Sequence, residues 1–164
     1  DAEYHNDVFI GRDEHGASRH AHKRSVNSEG KVFRMNVEGS DPRYSFHWMG
    51  TSDRLYVFEA PIDLMSFISL YPQDWQTHSY AALCGTSEHS MLWMLEQNPQ
   101  LQKISLCLDN DDAGQKAVER LTGILWEYGY IDIASLLPEA KDWNNELLVQ
   151  HNEDAAPAIS IKMG

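Results

Sequence analysis

The sequence predicts an α/β fold in which a four-stranded parallel sheet is flanked by helices and preceded by a small strand-rich subdomain. After about residue 54, short apolar runs alternate with longer amphipathic stretches. Strands and helices that alternate in this way form right-handed crossovers and a parallel sheet. Earlier in the chain, short alternating segments are separated by turn residues. We therefore divide the chain into residues 1–50, an α/β domain at 51–152 and a tail at 153–164.

The N-terminal subdomain is predicted to consist of short strands. Val8–Arg12 and Ala17–Ser25 flank an Asp-Glu-His-Gly turn, as in a hairpin. Residues 27–30 are a second predicted turn, Lys31–Val37 is extended, and Arg43–Met49 alternates like a strand.

The first half of the α/β domain reads as strand, helix, strand, helix. Leu55–Phe58 is apolar throughout, as expected of a strand buried on both faces. Pro61 suits the first turn of a helix that runs to about Leu70, and Ser79–Leu83 is the second strand. Thr86 or Ser87 is predicted to cap the next helix, which ends before an Asn-Pro pair.

The second half repeats this alternation. Lys103–Leu108 is a third strand, and residues 113–128 have apolar side chains close to a helical stripe. Gly129 ends that helix. Tyr130–Leu136 is the fourth strand, and Trp143–Gln150 is a closing helix.

The charge distribution separates the two parts of the chain. The net charge of −12 argues against a nucleic-acid-binding surface over the whole chain. Residues 1–50 hold seven Lys/Arg against eight Asp/Glu, whereas residues 51–164 hold six against seventeen. The clustered carboxylates of the second part favour divalent cations. The first part is either a surface for a polyanion or an ordinary mixed-charge surface.

Basic and histidine side chains concentrate on the second predicted strand. Arg19, Lys23 and Arg24 are candidates for contact with a nucleic-acid backbone or phosphate. His20 and His22 are two residues apart and would share a face. Because no third metal ligand is evident nearby, we expect these histidines to belong to the surface formed by Arg19, Lys23 and Arg24 rather than to bind a metal.

The cysteines and the hydropathy pattern indicate in which cellular compartment the protein is expected. Cys84 and Cys107 are far apart in apolar contexts, which predicts reduced core residues in a cytoplasmic protein rather than a disulfide or a zinc pair. There is no apolar run long enough to span a bilayer, so no membrane association is expected. Because the sequence begins with Asp1 rather than Met, we expect it to be part of a longer protein.

Acidic residues follow the predicted strands where a functional site is expected. Glu59 ends the first apolar strand, and Asp109 and Asp111 follow the third. Functional groups of open α/β sheets lie beyond the carboxyl ends of the strands. Carboxylates this close repel one another unless they are protonated or neutralised by a cation, and oxygen ligands favour Mg²⁺ or Mn²⁺ over zinc. A helix N-cap would explain Asp111 or Asp112, but not an acid at the end of each strand.

Four blocks of residues resemble the toprim domain of primases, topoisomerases and related nucleases. Glu59–Asp63 is similar to the Glu-Gly-x-x-Asp block of bacterial replicative primases, and Leu83–Thr86 to their Leu-Gly-Thr loop. Asp109–Gly114 is similar to their Asp-x-Asp-x-Ala-Gly block. Lys141–Asn144 stands in place of their later Asp-Pro-Asp block. Upstream, Gly11–Gly16 resembles the small subdomain before toprim in primases and in primase-like proteins of plasmids and integrative elements.

The resemblance implies a Rossmann-like toprim fold with Mg²⁺ or Mn²⁺ as cofactor. It implies that Glu59 is the general acid or base and also contacts the metal. Asp109 and Asp111 would hold the ion in catalysis, and Asp63 and Asp112 would assist. Lys141 is a candidate phosphate contact, with an ion pair to a neighbouring acid as the alternative.

The chain departs from the family pattern at two positions. Ala60 stands where the family usually has Gly, so the backbone there is expected to approach a ligand less closely. Asn110 replaces a frequent Gly. No zinc-ribbon cysteines precede the domain in this sequence, and no separate domain supplies a nucleophilic tyrosine, which disfavours topoisomerase activity.

The implied function is metal-dependent nucleotidyl transfer on DNA by the core of a primase-like protein of a plasmid or mobile element. Its expected partners are single-stranded DNA, nucleotides, and a helicase or another replication protein. Two alternatives remain open: a toprim nuclease, which would use the same acids to hydrolyse phosphodiesters, and a non-catalytic nucleic-acid-binding module.

Overall fold

The structure is a computed structural model that describes residues 5–26 and 33–155. The turn predicted at residues 27–30 and residues 156–164 of the predicted tail lie outside the described part. Within the described part, no helix is both long and apolar enough to cross a membrane.

The N-terminal part forms a three-stranded antiparallel sheet. Its strands are β1 (Asp7–Arg12), β2 (Ser18–Arg24) and β3 (Arg34–Asn36), in the order β1-β2-β3. The hairpin predicted from the first two segments is confirmed. The buried carboxylate of Asp13 stabilises its turn, because it accepts the Ala17 N–H at 2.9 Å as well as the Arg19 guanidinium at 2.7 Å.

The main sheet has five strands, one more than predicted. They are β4 (His47–Trp48), β5 (Arg54–Phe58), β6 (Ser79–Ala82), β7 (Lys103–Leu106) and β8 (Asp132–Ser135). Their order is β4-β6-β5-β7-β8. The predicted parallel strands β6, β5, β7 and β8 are confirmed, and β4 adds an antiparallel edge next to β6.

The additional strand comes from a segment that the sequence predicts to belong to the N-terminal subdomain. His47 pairs with Ala81 and Trp48 with Tyr80, so the end of the predicted strand Arg43–Met49 belongs to the main sheet. An alternating pattern predicts an extended segment and its two faces, but it does not say which sheet the segment joins.

Among the described residues, four α-helices cover the main sheet. They are α1 (Pro61–Leu70), α2 (His89–Gln97), α3 (Asp112–Glu127) and α4 (Trp143–Ala155). The predicted helices are all present. The predicted cap of α2 is wrong: the N-cap residue is Glu88, and no side chain caps the helix.

The core has one layer on each face of the main sheet. On one face, buried residues of α2 and α3 pack with alternate strand residues such as Leu55, Val57 and Leu106. On the other face, α1 and Trp143 of α4 pack against Phe58 and Tyr80. Burial on both faces explains why the residues of the central strands are mostly apolar.

Both cysteines are free thiols, as predicted. Cys107 is buried beneath α1 and α4, and Cys84 is partly buried in the loop after β6. Cys84 has a positive φ of 54°, so the chain turns sharply at the end of this strand.

Candidate metal and phosphate site

The topology brings the predicted acids to one edge of the main sheet. β5 and β7 are neighbouring parallel strands, with Val57 opposite Leu106. Glu59 directly follows β5, and Asp109 lies three residues after β7. Because the carboxyl ends of parallel strands meet at the same edge, both side chains reach the mouth of the sheet.

Asp109 is the most deeply placed of the predicted ligands at the strand ends. Its side chain belongs to a residue that is only 6% exposed. Its Oδ1 is buried without a hydrogen-bond partner. Burial raises the pKa of Asp109, and repulsion from Asp142 and Asp111 adds to the shift. A buried carboxylate oxygen without a partner is costly, so this atom is poised to bind a proton or a cation.

Glu59 is half-buried beside Asp109. Burial is the main reason why its pKa is raised, and the charge of Asp109 raises it further. Arg34 and Lys141 act in the opposite direction, which places both cations within electrostatic reach of the Glu59 carboxylate.

Asp63 lies in the first turn of α1, one helical turn after Glu59, and is 4% exposed. Burial and the nearby Asp109 and Asp142 raise its pKa to about 7. Its Oδ1 accepts the backbone N–H of Asn144 at 3.2 Å. The Asp63 carboxyl group is therefore close enough to interact electrostatically with that of Asp109. The first turn of α4 contacts Asp63 through the Asn144 N–H.

We expect Asp63→Asn to remove part of the pH dependence of stability in metal-free buffer. The folded pKa of about 7 lies above the ordinary 3.8, so the folded state holds the proton more tightly. This contribution to stability is complete below pH 4 and is lost as the pH rises through 7. Asparagine carries no charge, so the variant should exceed the wild type at pH 8 by on the order of 2–4 kcal/mol.

Urea unfolding between pH 4 and pH 8 in EDTA measures this difference. The gap between variant and wild type should shrink as the pH falls. Asp132→Asn, on the exposed edge strand, is the matched control and should leave the profile unchanged. Parallel profiles for Asp63→Asn and wild type would contradict the assignment.

The two acids that begin α3 have different environments. Asp111 is the N-cap, and its Oδ1 accepts the Gly114 N–H at 2.9 Å. Its Oδ2 lies 4.0 Å from Lys141 Nζ. Asp112 is exposed in the first turn, where a negative charge complements the helix dipole. The structure thus pairs Lys141 with Asp111, rather than with a neighbouring acid in its own loop.

The loop that carries Lys141 is hydrogen-bonded to the loop that carries Asp109 and Asp111. Asn110 donates its backbone N–H to the Lys141 carbonyl at 2.7 Å. The Asn110 side chain donates to the Pro138 carbonyl at 3.1 Å. Asparagine at this position therefore has a structural role that glycine could not supply.

The N-terminal sheet supplies the opposite wall of the cleft. Arg24 of β2 lies directly across from Arg34 of β3, so the two side chains share a face. Arg24 acts on the pKa of Asp63, and Arg34 acts on that of Glu59. A pair of like charges on adjacent strands is unfavourable by itself. An anion in the cleft would relieve this repulsion.

A pocket of about 280 Å³ lies between the two sheets. Next to the arginine pair, His22 and Asn36 are joined by a 2.8 Å hydrogen bond, and Asn36 also donates to the Cys84 carbonyl at 3.4 Å. The residues that line the pocket come from both sheets: His22, Arg34, Met35, Asn36, Glu59, Ala60, Cys84 and Gly85. Arg34 and Asn36 belong to no recognisable sequence motif, and only the pairing of β3 with β2 places them at this pocket.

Two predicted phosphate contacts do not point into this cleft. Arg19 is held by Asp13 at the far end of the hairpin. Lys23 alternates with Arg24 along β2 and so lies on the opposite face. The histidine expectation is wrong: His20 and His22 are 3% and 6% exposed. They share a face as predicted, but it is the face that packs inward.

Ala60 fits its position without strain. It has φ −130° and ψ 154°, an extended conformation open to any residue, and it lies just before α1. The family glycine is therefore not needed here for backbone conformation, although the alanine Cβ adds bulk to the wall of the pocket.

The donor set fits a hard divalent cation. Asp109 has a buried oxygen without a partner, and Glu59, Asp63 and Asp109 all have raised pKa values that a cation would reverse. Among the described residues, no three His, Cys, Asp or Glu side chains are close enough to enclose a metal by themselves. Mg²⁺ suits such a site, because it retains several waters and binds one or two carboxylates.

Comparison with known proteins gives family matches to both parts of the chain. Residues 56–147 match the Toprim-like family, and residues 1–52 match a protein family of unknown function, DUF3991. An uncharacterized protein of Mycoplasma pneumoniae, the MG010 homolog, is 29% identical over 114 residues, covering 69% of this chain and 51% of that protein. An uncharacterized protein of Bacillus anthracis is 25% identical, covering 87% of this chain and 47% of that protein. The chain spans about half the length of these curated relatives.

Solved structures match the chain over both sheets. The primase fragment of the bacteriophage T7 primase-helicase protein is 20% identical with a TM-score of 0.69, and the match covers 92% of this chain and 61% of that one. The E. coli primase catalytic core is 17% identical with a TM-score of 0.62, covering 89% of this chain and 48% of that one. With more than half of its residues inside the family match, the chain belongs to the Toprim-like family.

Proposed function

We propose that this chain is the catalytic core of a primase-like protein, which joins nucleotides on a single-stranded DNA template during replication of a plasmid or mobile element. One observation carries the proposal: Glu59 of the main sheet and Arg34 of the N-terminal sheet line the same cleft, and Arg24, which pairs with Arg34, acts electrostatically on Asp63. Both a nuclease and a primase would use these carboxylates to hold a metal ion. The opposing cationic wall additionally suits the triphosphate of an incoming nucleotide.

The reaction proposed is attack of a 3′-hydroxyl oxygen on the α-phosphorus of a nucleoside triphosphate, with pyrophosphate as the leaving group. A divalent cation held by Asp109, with Glu59 and Asp111 beside it, would neutralise the negative charge that develops on the phosphate. Glu59, whose pKa is raised by burial, is placed to take the proton of the attacking hydroxyl. Asp63 would assist Asp109 through the electrostatic interaction between the two carboxyl groups.

The cationic side chains would bind the substrate phosphates. Arg24 and Arg34 present two guanidinium groups on one face, and guanidinium groups bind phosphate oxygens in a bidentate manner. Lys141 adds a third cation, with its side chain 62% exposed. The binding of phosphates by these cations would hold the α-phosphorus in line with the hydroxyl.

The partners proposed are DNA, nucleotides and a helicase or another replication protein. Support for single-stranded DNA comes from a similar structure, the DnaG primase catalytic domain bound to ssDNA, which has a TM-score of 0.61. Support for a helicase comes from the similar bacteriophage T7 fragment, which belongs to a primase-helicase protein.

A primer-synthesis assay tests the proposal. The purified chain, single-stranded DNA, ribonucleotides with one radiolabel, and Mg²⁺ or Mn²⁺ should yield labelled oligonucleotides. Glu59→Gln should lower the rate by about 10²- to 10⁴-fold, the usual contribution of a positioned general base. Glu127→Gln removes one carboxylate at the exposed far end of α3 and should retain the wild-type rate.

Other outcomes point to the alternatives. Metal-dependent cleavage of labelled DNA without nucleotides, sensitive to Glu59→Gln, would replace primer synthesis by nuclease activity. DNA binding that Glu59→Gln does not change, with neither reaction, would indicate a non-catalytic binding module.

A further inference from the structure

We propose that Lys141 takes the place of a second divalent cation, so that the site binds one Mg²⁺ or Mn²⁺ at Asp109 and Glu59 and uses the lysine ammonium for the adjoining substrate phosphate. This inference rests on the proposed function, because it concerns how the same site supplies positive charge. In sites that transfer phosphoryl groups with two metals, the two ions stabilise the attacking and the leaving oxygens.

Open ligand positions are found on the Asp109 side of the site. Asp109 Oδ1 is buried and has no hydrogen-bond partner, although the residue is only 6% exposed. Glu59 is half-buried next to it. A cation on this side would therefore gain a buried oxygen ligand without displacing another contact.

The carboxylates on the Lys141 side already have partners. Asp111 accepts the Gly114 N–H with Oδ1 at 2.9 Å and faces Lys141 Nζ with Oδ2 at 4.0 Å. Asp142 accepts the Asn145 N–H with Oδ1 at 2.7 Å and the Asn145 side-chain amide with Oδ2 at 3.1 Å. A second cation at Asp111 would have to displace the lysine ammonium beside Oδ2 and would share oxygens that already accept hydrogen bonds.

The position of Lys141 is fixed by its backbone. Its carbonyl accepts the Asn110 N–H at 2.7 Å, which joins its loop to the residue between the two aspartates. Its charge lowers the pKa of both Glu59 and Asp109 against the effect of burial, so the ammonium lies within reach of the metal side as well. With 62% of the side chain exposed, the ammonium can turn toward a phosphate that enters from solvent.

The number of Mn²⁺ ions bound to the nucleotide-free protein tests this inference without any assay of activity. Electron paramagnetic resonance of free Mn²⁺ during a titration gives the number of ions and their affinity. We expect one Mn²⁺ per wild-type chain and two per Lys141→Asp chain. Lys141→Met should still bind one, several-fold more tightly, because a like charge beside the ion is removed.

Lys103→Met is the matched control. It removes the same charge at the opposite end of β7, where Lys103 pairs with Asp53, and it should change neither the number of ions nor their affinity. Thermal unfolding verifies that each variant is folded. If Lys141→Asp does not fold, the affinity of Lys141→Met decides, and an affinity equal to that of wild type overturns the inference.

Two Mn²⁺ ions in the wild type, or one ion in folded Lys141→Asp, would also overturn the inference and leave primer synthesis untouched. Absence of bound Mn²⁺ in the wild type would overturn the inference together with the metal-dependent reaction. Conversely, the expected numbers without primer synthesis would retain the single-ion site and reject the proposed function.

Discussion

Gly114→Ala should destabilise the protein by about 1–3 kcal/mol, the usual range for overpacking a buried position, while the same substitution at Gly123 in the same helix should stabilise it. A Cβ at Gly114 would overlap the carbonyl oxygen of Asp109 and lie 2.9 Å from the carbonyl carbon. Both atoms belong to the backbone, so α3 or the loop after β7 must move. At Gly123 nothing lies within 4 Å of an added Cβ, and alanine favours the helix by about 0.5–1 kcal/mol.

Thermal unfolding measures both variants. For a domain of this size, 1 kcal/mol corresponds to a change of roughly 2–4 °C in Tm. Gly114→Ala should also lower the affinity for Mn²⁺, since the displaced backbone is that of Asp109. If both alanine variants raised Tm, the close contact between the first turn of α3 and the Asp109 loop would be wrong.

Asp109→Asn should abolish metal-dependent activity without destabilising the fold. The substitution is nearly isosteric and removes a buried charge whose ionisation the fold opposes, as its raised pKa indicates. In EDTA, Tm should therefore equal or exceed that of wild type near neutral pH. Primer synthesis should fall by on the order of 10³-fold, since a metal ligand contributes several kcal/mol to stabilising the transition state.

Thermal unfolding with and without Mg²⁺ separates this outcome from a structural defect. The wild type should gain stability when Mg²⁺ is added, whereas Asp109→Asn should not. Asp132→Asn, which changes an exposed acid on the edge strand, should keep both the activity and the gain from Mg²⁺. A large loss of Tm in EDTA for Asp109→Asn would instead assign this carboxylate a structural role.

Much of the fold could be predicted because its determinants are local. The apolar runs at β5, β6 and β7 indicate strands buried on both faces, and the stripe along α3 indicates one buried helix face. The order of these elements permits little besides a parallel sheet. The strand β4 was assigned to the wrong sheet, because a two-residue pairing with β6 depends on contacts that alternation alone does not specify.

The candidate site also contains residues that the sequence indicates and residues that only the structure reveals. The acidic positions could be predicted from sequence, since Glu59 directly follows β5, Asp109 comes three residues after β7, and parallel strands end at a common edge. Arg34 could not be found, since its position opposite Arg24 depends on how β3 pairs with β2. The burial of His20 and His22 also escaped sequence reasoning, because a strand pattern defines two faces without saying which one packs inward.

The sequence by itself thus determined the strand–helix order, the parallel sheet and the carboxylates at its edge, because these follow from short-range periodicity and from what directly succeeds each strand. Only the tertiary structure decided that Arg34 of the N-terminal sheet lines the cleft, that Arg24 lies opposite Arg34, and that Lys141 meets Asp111. The physical reason is distance along the chain: the two walls of the cleft come from different sheets, and Lys141 lies thirty residues from Asp111. Such contacts are set by how the sheets and loops pack, not by local pattern.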